Sequence, residues 1–92
     1  MIAYSDMRTM KYRSRTELAS AILEAANGGA TKTKIMYRAF LSYAQLKEYL
    51  LLLTENDLLE ADSVTTTYKT TSKGMRFLDA SQHLGEMLEI QR

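Results

Sequence analysis

These 92 residues contain no cysteine, no proline and no tryptophan, and their one histidine is His83. Without cysteine there is no disulfide frame, no thiol chemistry and no cysteine-ligated metal. A lone histidine excludes a histidine-rich metal centre, and His83 is expected at the surface rather than as a ligand or a base. The four glycines stand apart except for Gly28-Gly29, so nothing reads as a linker or low-complexity tract. Long apolar runs are missing as well. Leu50-Leu51-Leu52-Leu53 is the longest, far below the ~20 residues of a membrane span, and no signal-peptide core opens the chain. The expectation is a soluble protein in a reducing cytoplasm, with no membrane partner.

The length fits one domain with a modest core, so a long exposed helix should lean on a partner. Net charge is +1, but it is unevenly spread. Residues 1–47 hold eight Lys/Arg against three Asp/Glu, a net of +5, and residues 48–92 hold four against eight, a net of −4. A basic front suits an anionic partner. The plainer alternative is ordinary solvated charge.

Residues 1–12 show no period and read as an arm, with either Met1 or Met10 as the natural start. Ser14 and Glu17 then have capping-box spacing. Leu18, Ile22, Leu23 and Ala26 form one apolar stripe, and Asn27-Gly28-Gly29 closes this first helix. A second, short helix follows. Thr31 or Thr33 caps it, Ile35, Met36 and Ala39 face inward, and Lys32, Lys34 and Arg38 face out. Ser42 and Gln45 repeat the capping-box spacing and open a third helix, Tyr43 to about Glu55. Leu46, Leu50 and Leu53 line its inner face with Tyr49 alongside. Two helices joined by about three residues make a helix-turn-helix. Of the remaining leucines, one is expected under the following hairpin and the other exposed, with a partner contact as the alternative.

LLEADSVTTTYKTT reads as a β-hairpin turning at Asp62-Ser63, with Thr66, Tyr68 and Thr70 on one face. Thr71 or Ser72 caps a last helix, in which Phe77, Ser81, Leu84 and Leu88, with Met87 beside them, approximate a heptad seam. About 20 helical residues span ~30 Å, more than so small a core covers. The predicted fold is mainly α with a small β-hairpin: a winged helix-turn-helix domain over 13–78, with a C-terminal helix over 72–92 that serves dimerisation.

The segments ILEAANGGATKTKIMY (22–37), LSYAQLKEYLLLL (41–53) and YKTTSKGMRFL (68–78) resemble the small archaeal winged helix-turn-helix DNA-binding proteins and transcription regulators. Among these are the ten-kilodalton dimeric proteins associated with archaeal chromatin. The resemblance implies double-stranded DNA as partner, a nucleoid-associated location, and a homodimer through the C-terminal helix paired as an antiparallel coiled coil. Here that helix ends at Arg92 and contains Gly85, so the rod would be shorter.

Candidate DNA contacts follow from residue chemistry. A recognition helix reads bases from its first turns. Gln45 suits an adenine edge, Lys47 a guanine or a phosphate, and the Ser42 and Tyr43 hydroxyls a phosphate. For Tyr43 the alternative is half-buried packing. Glu48 opposes a phosphate. Lys32 and Lys34 open the second helix, where the helix dipole already favours an anion; a merely solvated basic turn is the alternative. Arg13 and Arg15 are expected to extend that face. The nearly uncharged wing offers only Lys69. No nucleophile–base pair, phosphate-binding glycine loop or metal spacing is present, and GGATKT at 28–33 lacks the P-loop order. The chain is therefore read as no enzyme, with no cofactor and no evident small-molecule ligand. A winged helix used for protein–protein contact, without DNA binding, is the competing reading.

Overall fold

A computed structural model describes residues 13–90; the side chains at 85, 86 and 88–90 lie outside that description. The arm expected at 1–12 and the seam position Leu88 therefore fall outside the described residues. Helix α1 is Arg15–Ala25, α2 is Lys32–Ala39 and α3 is Tyr43–Glu55. Strands β1 (Leu59–Asp62) and β2 (Thr67–Thr70) form an antiparallel hairpin, and α4 is Ser72–Ile90.

Local chemistry sets each boundary. Ser14 and Glu17 form a reciprocal capping box, with bonds of 3.0 and 2.8 Å. Gly28 and Gly29, at φ +87° and +106°, supply the left-handed backbone that turns the chain after α1. Thr31, not Thr33, caps α2, its hydroxyl accepting from the Lys34 amide at 3.2 Å. Thr71 rather than Ser72 caps α4, its hydroxyl accepting from the Gly74 amide at 3.0 Å.

The core is one cluster. The whole α1 stripe, Ile35 and Ala39 of α2, and Leu46, Tyr49, Leu50 and Leu53 of α3 are buried together with Leu41, Leu59 and Leu78. Met36 is only half-buried. Phe40 is 69% exposed and holds φ +55°. It occupies the left-handed closing position that glycine usually takes. The buried Leu41 then returns its N–H to the Met36 carbonyl at 3.0 Å.

The hairpin is pinned to the helices by backbone. Ala30 exchanges two hydrogen bonds with Tyr68, 2.9 and 2.8 Å, and the Thr70 N–H reaches the Ala26 carbonyl at 3.3 Å. The Thr70 hydroxyl, buried, donates to the Leu23 carbonyl at 2.6 Å. Thr66, expected on the same face as Tyr68 and Thr70, instead lies in the turn at φ +53°. The turn itself is built by Asp62, whose Oδ1 accepts from the Val64 and Thr65 amides at 2.9 and 3.2 Å. Gly74 is needed for a different reason: a Cβ there would collide with the Leu58 carbonyl oxygen and lie 2.6 Å from Thr70 Cγ2.

Thr70→Val keeps the shape but removes the donor to a buried helix-end carbonyl. It should lower stability by about 1–3 kcal/mol, read from the midpoint of urea unfolding; an unchanged midpoint would show that the carbonyl finds another donor. A second expectation concerns pH. The Thr65 and Val64 amides hold the Asp62 carboxyl below the usual carboxylate range. A lowered folded value means that the turn's support is present above that range and is lost as pH falls through the Asp62 titration. The Val64 and Thr65 amide shifts should report this titration in an NMR series. Their moving at an ordinary carboxylate pH would contradict it.

Candidate nucleic-acid interface

The first turns of α2 and α3 face the hairpin across an open hollow of about 400 Å³. Leu46 and Leu50 form its floor, Ala61 and Tyr68 its hairpin wall, and Lys32, Tyr43 and Lys47 its rim, with Leu51 beyond. Three of the six expected contact residues, Lys32, Tyr43 and Lys47, are thus brought to one place. Tyr43 is 64% exposed, which rules out the packing alternative for it, and Lys47 Nζ stands 5.7 Å from its ring centroid, a cation–π pair.

Lys32 also borders a second hollow, of about 600 Å³, between the start of α2 and the wing. Thr31, Thr33, Ser63 and Thr66 give it a hydroxyl-rich lining. Amide groups at the start of α2 have no partner within the helix and carry its positive dipole end, so the neighbourhood of Lys32 suits an anion. Lys34 is exposed on the same turn but lines neither hollow.

Ser42 and Gln45 pair in the cap of α3, which uses the Gln45 side-chain carbonyl but leaves the Ser42 O–H free to donate. The Ser42 hydroxyl accepts from the Gln45 amide at 3.1 Å, and Gln45 Oε1 accepts from the Ser42 amide at 3.0 Å. Gln45 is half-buried in this capping box. Its carbonyl is used to start α3 and is not free for a two-point contact with a base. The spacing of Ser42 and Gln45 that marks a cap is realised in the fold.

The arginines do not extend the lysine face as expected. Arg13 Nη2 donates to the carbonyls of Ala39 and Phe40 at 2.6 and 2.9 Å, closing the end of α2. Arg38 Nη1 reaches the Ala25 carbonyl at 3.4 Å. Arg15 lies 5.6 Å from the Tyr49 ring centroid, beside Leu52, Lys73 and Phe77 in a separate hollow of about 320 Å³. A guanidinium fork matches paired carbonyls and ring faces better than an ammonium does, and no sequence spacing tells which arginine will find them.

The leucine pair also sorts differently. Leu52 is the half-buried one, packed on the core beside Tyr49 and Phe77 and not under the hairpin. Leu51 borders the hairpin side and is 61% exposed. At ~100° per residue, Ala44, Glu48, Leu51 and Glu55 form the ridge of α3 opposite its buried stripe, and all four are exposed. The sequence pattern leaves Ala44 and Glu48 facing out, and Leu51 and Glu55 extend that face into a ridge. Tyr37, 71% exposed, is not picked out by any spacing.

On the wing, Lys69 is exposed. Along α4, Phe77 packs against the chain's own core, and the half-buried Ser81 has its hydroxyl 2.8 Å from that of Ser20 on α1. Leu84 and Met87 are 59% and 47% exposed. Of the expected seam, two residues seat α4 inside the chain and these two are left uncovered. His83 is exposed, and no described helix is long and apolar enough to cross a membrane.

A family model described as winged helix-turn-helix matches residues 12–89. No curated protein matches the chain. Among solved structures it is similar to Sso10a-2, a DNA-binding protein from Sulfolobus solfataricus, with a TM-score of 0.80 and 21% identity over 86% of this chain and 85% of that one. At that identity the likeness shows the fold, and it agrees with the resemblance carried by residues 22–37, 41–53 and 68–78. With the matched residues running from the arm to the last turns of α4, this chain belongs to the winged helix-turn-helix family.

Proposed function

We propose that the protein binds double-stranded DNA, with α3 in the major groove and Lys32, Lys34 and Lys47 on phosphates. It acts as a transcription regulator or a chromatin-associated protein in the archaeal cytoplasm or nucleoid. The observation that carries this reading is the convergence of Lys32, Tyr43 and Lys47 on one hollow between the second and third helices and the wing. The similar Sulfolobus protein, which binds DNA, supports it. The wing adds little beyond Lys69. No cofactor enters this reading.

The alternative, a winged helix used for protein contact, is favoured by Tyr37, Phe40 and Leu51, three large side chains that are each more than half exposed. Salt separates the two readings. Each phosphate neutralised contributes about −0.9 to the slope of log affinity against log salt. Changing Lys32, Lys34 and Lys47 together to Ala should flatten that slope by roughly three such contacts. A variant with the parent's slope would remove these lysines from the interface. Duplex binding that is absent at low salt would favour the alternative.

Assembly is proposed as a homodimer through the end of α4. Leu84 and Met87 stand exposed beyond the buried Leu78, and burying such side chains stabilises by about 1.5–3 kcal/mol each. A two-fold pair would place two α3 helices on one duplex. Leu84→Glu with Met87→Glu should give a folded monomer that binds DNA more weakly. Sedimentation of the unmutated protein as a monomer at tens of micromolar would end the dimer proposal and leave DNA binding to a single α3.

A further inference from the structure

The outer ridge of α3 has an acid at its centre, which a purely phosphate-seeking surface would not place there. Glu48 is exposed between Ala44 and Leu51 on that ridge. Lysines stand to one side of it: Lys47 is its chain neighbour, and Lys32 lies across the hollow. The surface is thus positive at the edge and negative with apolar flanks at the crest. A duplex major groove has the complementary layout. Its walls are phosphates, and among the acceptors of its floor stand the amino donors of cytosine and adenine and the methyl group of thymine.

Resting on the DNA-binding reading, we propose that Glu48 is a specificity determinant that accepts from the exocyclic amino group of cytosine, and that Leu51 packs on the methyl group of a thymine close by. The other bases fit Glu48 worse. Guanine presents two acceptors, thymine one acceptor, and adenine sets an acceptor beside its amino group; each would face the carboxylate with like polarity. Glu48 and Leu51 are three residues apart, a rise of ~4.5 Å along the helix, against ~3.4 Å per base-pair step. One helix laid along the groove can therefore bring both to nearby pairs. The same acid disfavours indiscriminate binding, because it meets the groove without compensation wherever no cytosine lies beneath it. Selectivity then comes partly from repulsion of the wrong sequence.

The test selects sites for the full chain from a randomised duplex pool and measures affinities by fluorescence anisotropy at fixed salt. Both side chains are exposed, so the variants should melt with the parent. The parent should enrich one cytosine, and exchanging its C·G pair should weaken binding about tenfold or more. Glu48→Gln should move the preference at that position toward adenine, whose edge an amide can bridge. Glu48→Ala should abolish the preference there. Replacing the neighbouring thymine by uracil should cost the parent about fourfold, the worth of one methyl group, and cost Leu51→Ala nothing. If Glu48→Ala instead tightens binding to every sequence equally, with the profile unchanged, the acid only repels and the proposal is overturned. A flat profile in a parent that still shows salt-dependent binding overturns it while leaving DNA binding intact. No salt-dependent binding to any duplex removes both readings.

Discussion

The candidate interface depends on two backbone hydrogen bonds, those exchanged by Ala30 and Tyr68. A hairpin of two four-residue strands is marginal alone. Here the loop between α1 and α2 supplies a third edge, and the wing becomes part of the helix-turn-helix. The pairing needs the chain to reverse sharply after α1, which Gly28 and Gly29 permit with their positive φ. It also fixes Tyr68, and with it the hairpin wall of the hollow that Lys32, Tyr43 and Lys47 rim. A dipeptide that reads in sequence as a helix stop therefore sets where the wing stands relative to the start of α2.

The net charge of the chain describes this surface poorly. Between residues 13 and 47 there are three arginines and three lysines, and the fold separates them by chemistry. Arg13 and Arg38 hold helix-end carbonyls and Arg15 stacks on Tyr49, whereas Lys32, Lys34 and Lys47 are exposed. At physiological salt a charge is felt over ~8 Å, so the spacing of the three lysines and of Glu48 governs what approaches α3. Lysine on a flexible stem suits a phosphate as a point charge. Such contacts position a protein on a duplex, and sequence has to be read by the groups between them.

The element order, the helix limits and the two capping boxes were legible because each rests on residues within one turn of one another. Ser14 with Glu17 and Ser42 with Gln45 behave as their spacing states. What was not legible depends on distant neighbours. Phe40 takes a left-handed conformation that costs a bulky residue about 1–3 kcal/mol, and it is held there by Arg13, more than 20 positions earlier. The choice between Leu51 and Leu52 is made by Phe77 of α4, and the need for glycine at 74 by the Leu58 carbonyl. In the candidate site, residue type and helix position single out Lys32, Tyr43 and Lys47, which the fold brings to one hollow. Glu48 reads from the sequence only as an opponent of phosphate, although base edges are not phosphates.

The four consecutive leucines now have a physical account. Leu50 and Leu53 lie in the core, Leu52 packs toward Phe77, and Leu51 faces out. A helix gripped on one stripe alone can roll about its axis; one gripped by Leu46, Leu50 and Leu53 and again by Tyr49 and Leu52 cannot. Its two ends are fastened as well. Ser42 and Gln45 close the first turn. At the other end the Leu58 N–H returns to the Leu53 carbonyl at 2.9 Å, and Lys73 Nζ donates to the Asn56 carbonyl at 3.0 Å. The outward ridge is consequently fixed in azimuth and in axial position before any partner arrives. A readout that depends on one carboxylate meeting one amino group needs that fixity, because a helix free to roll or slide could aim the carboxylate at a neighbouring base and lose the difference in affinity between a right site and a wrong one. The apolar excess of this stretch is therefore a requirement of its polar face.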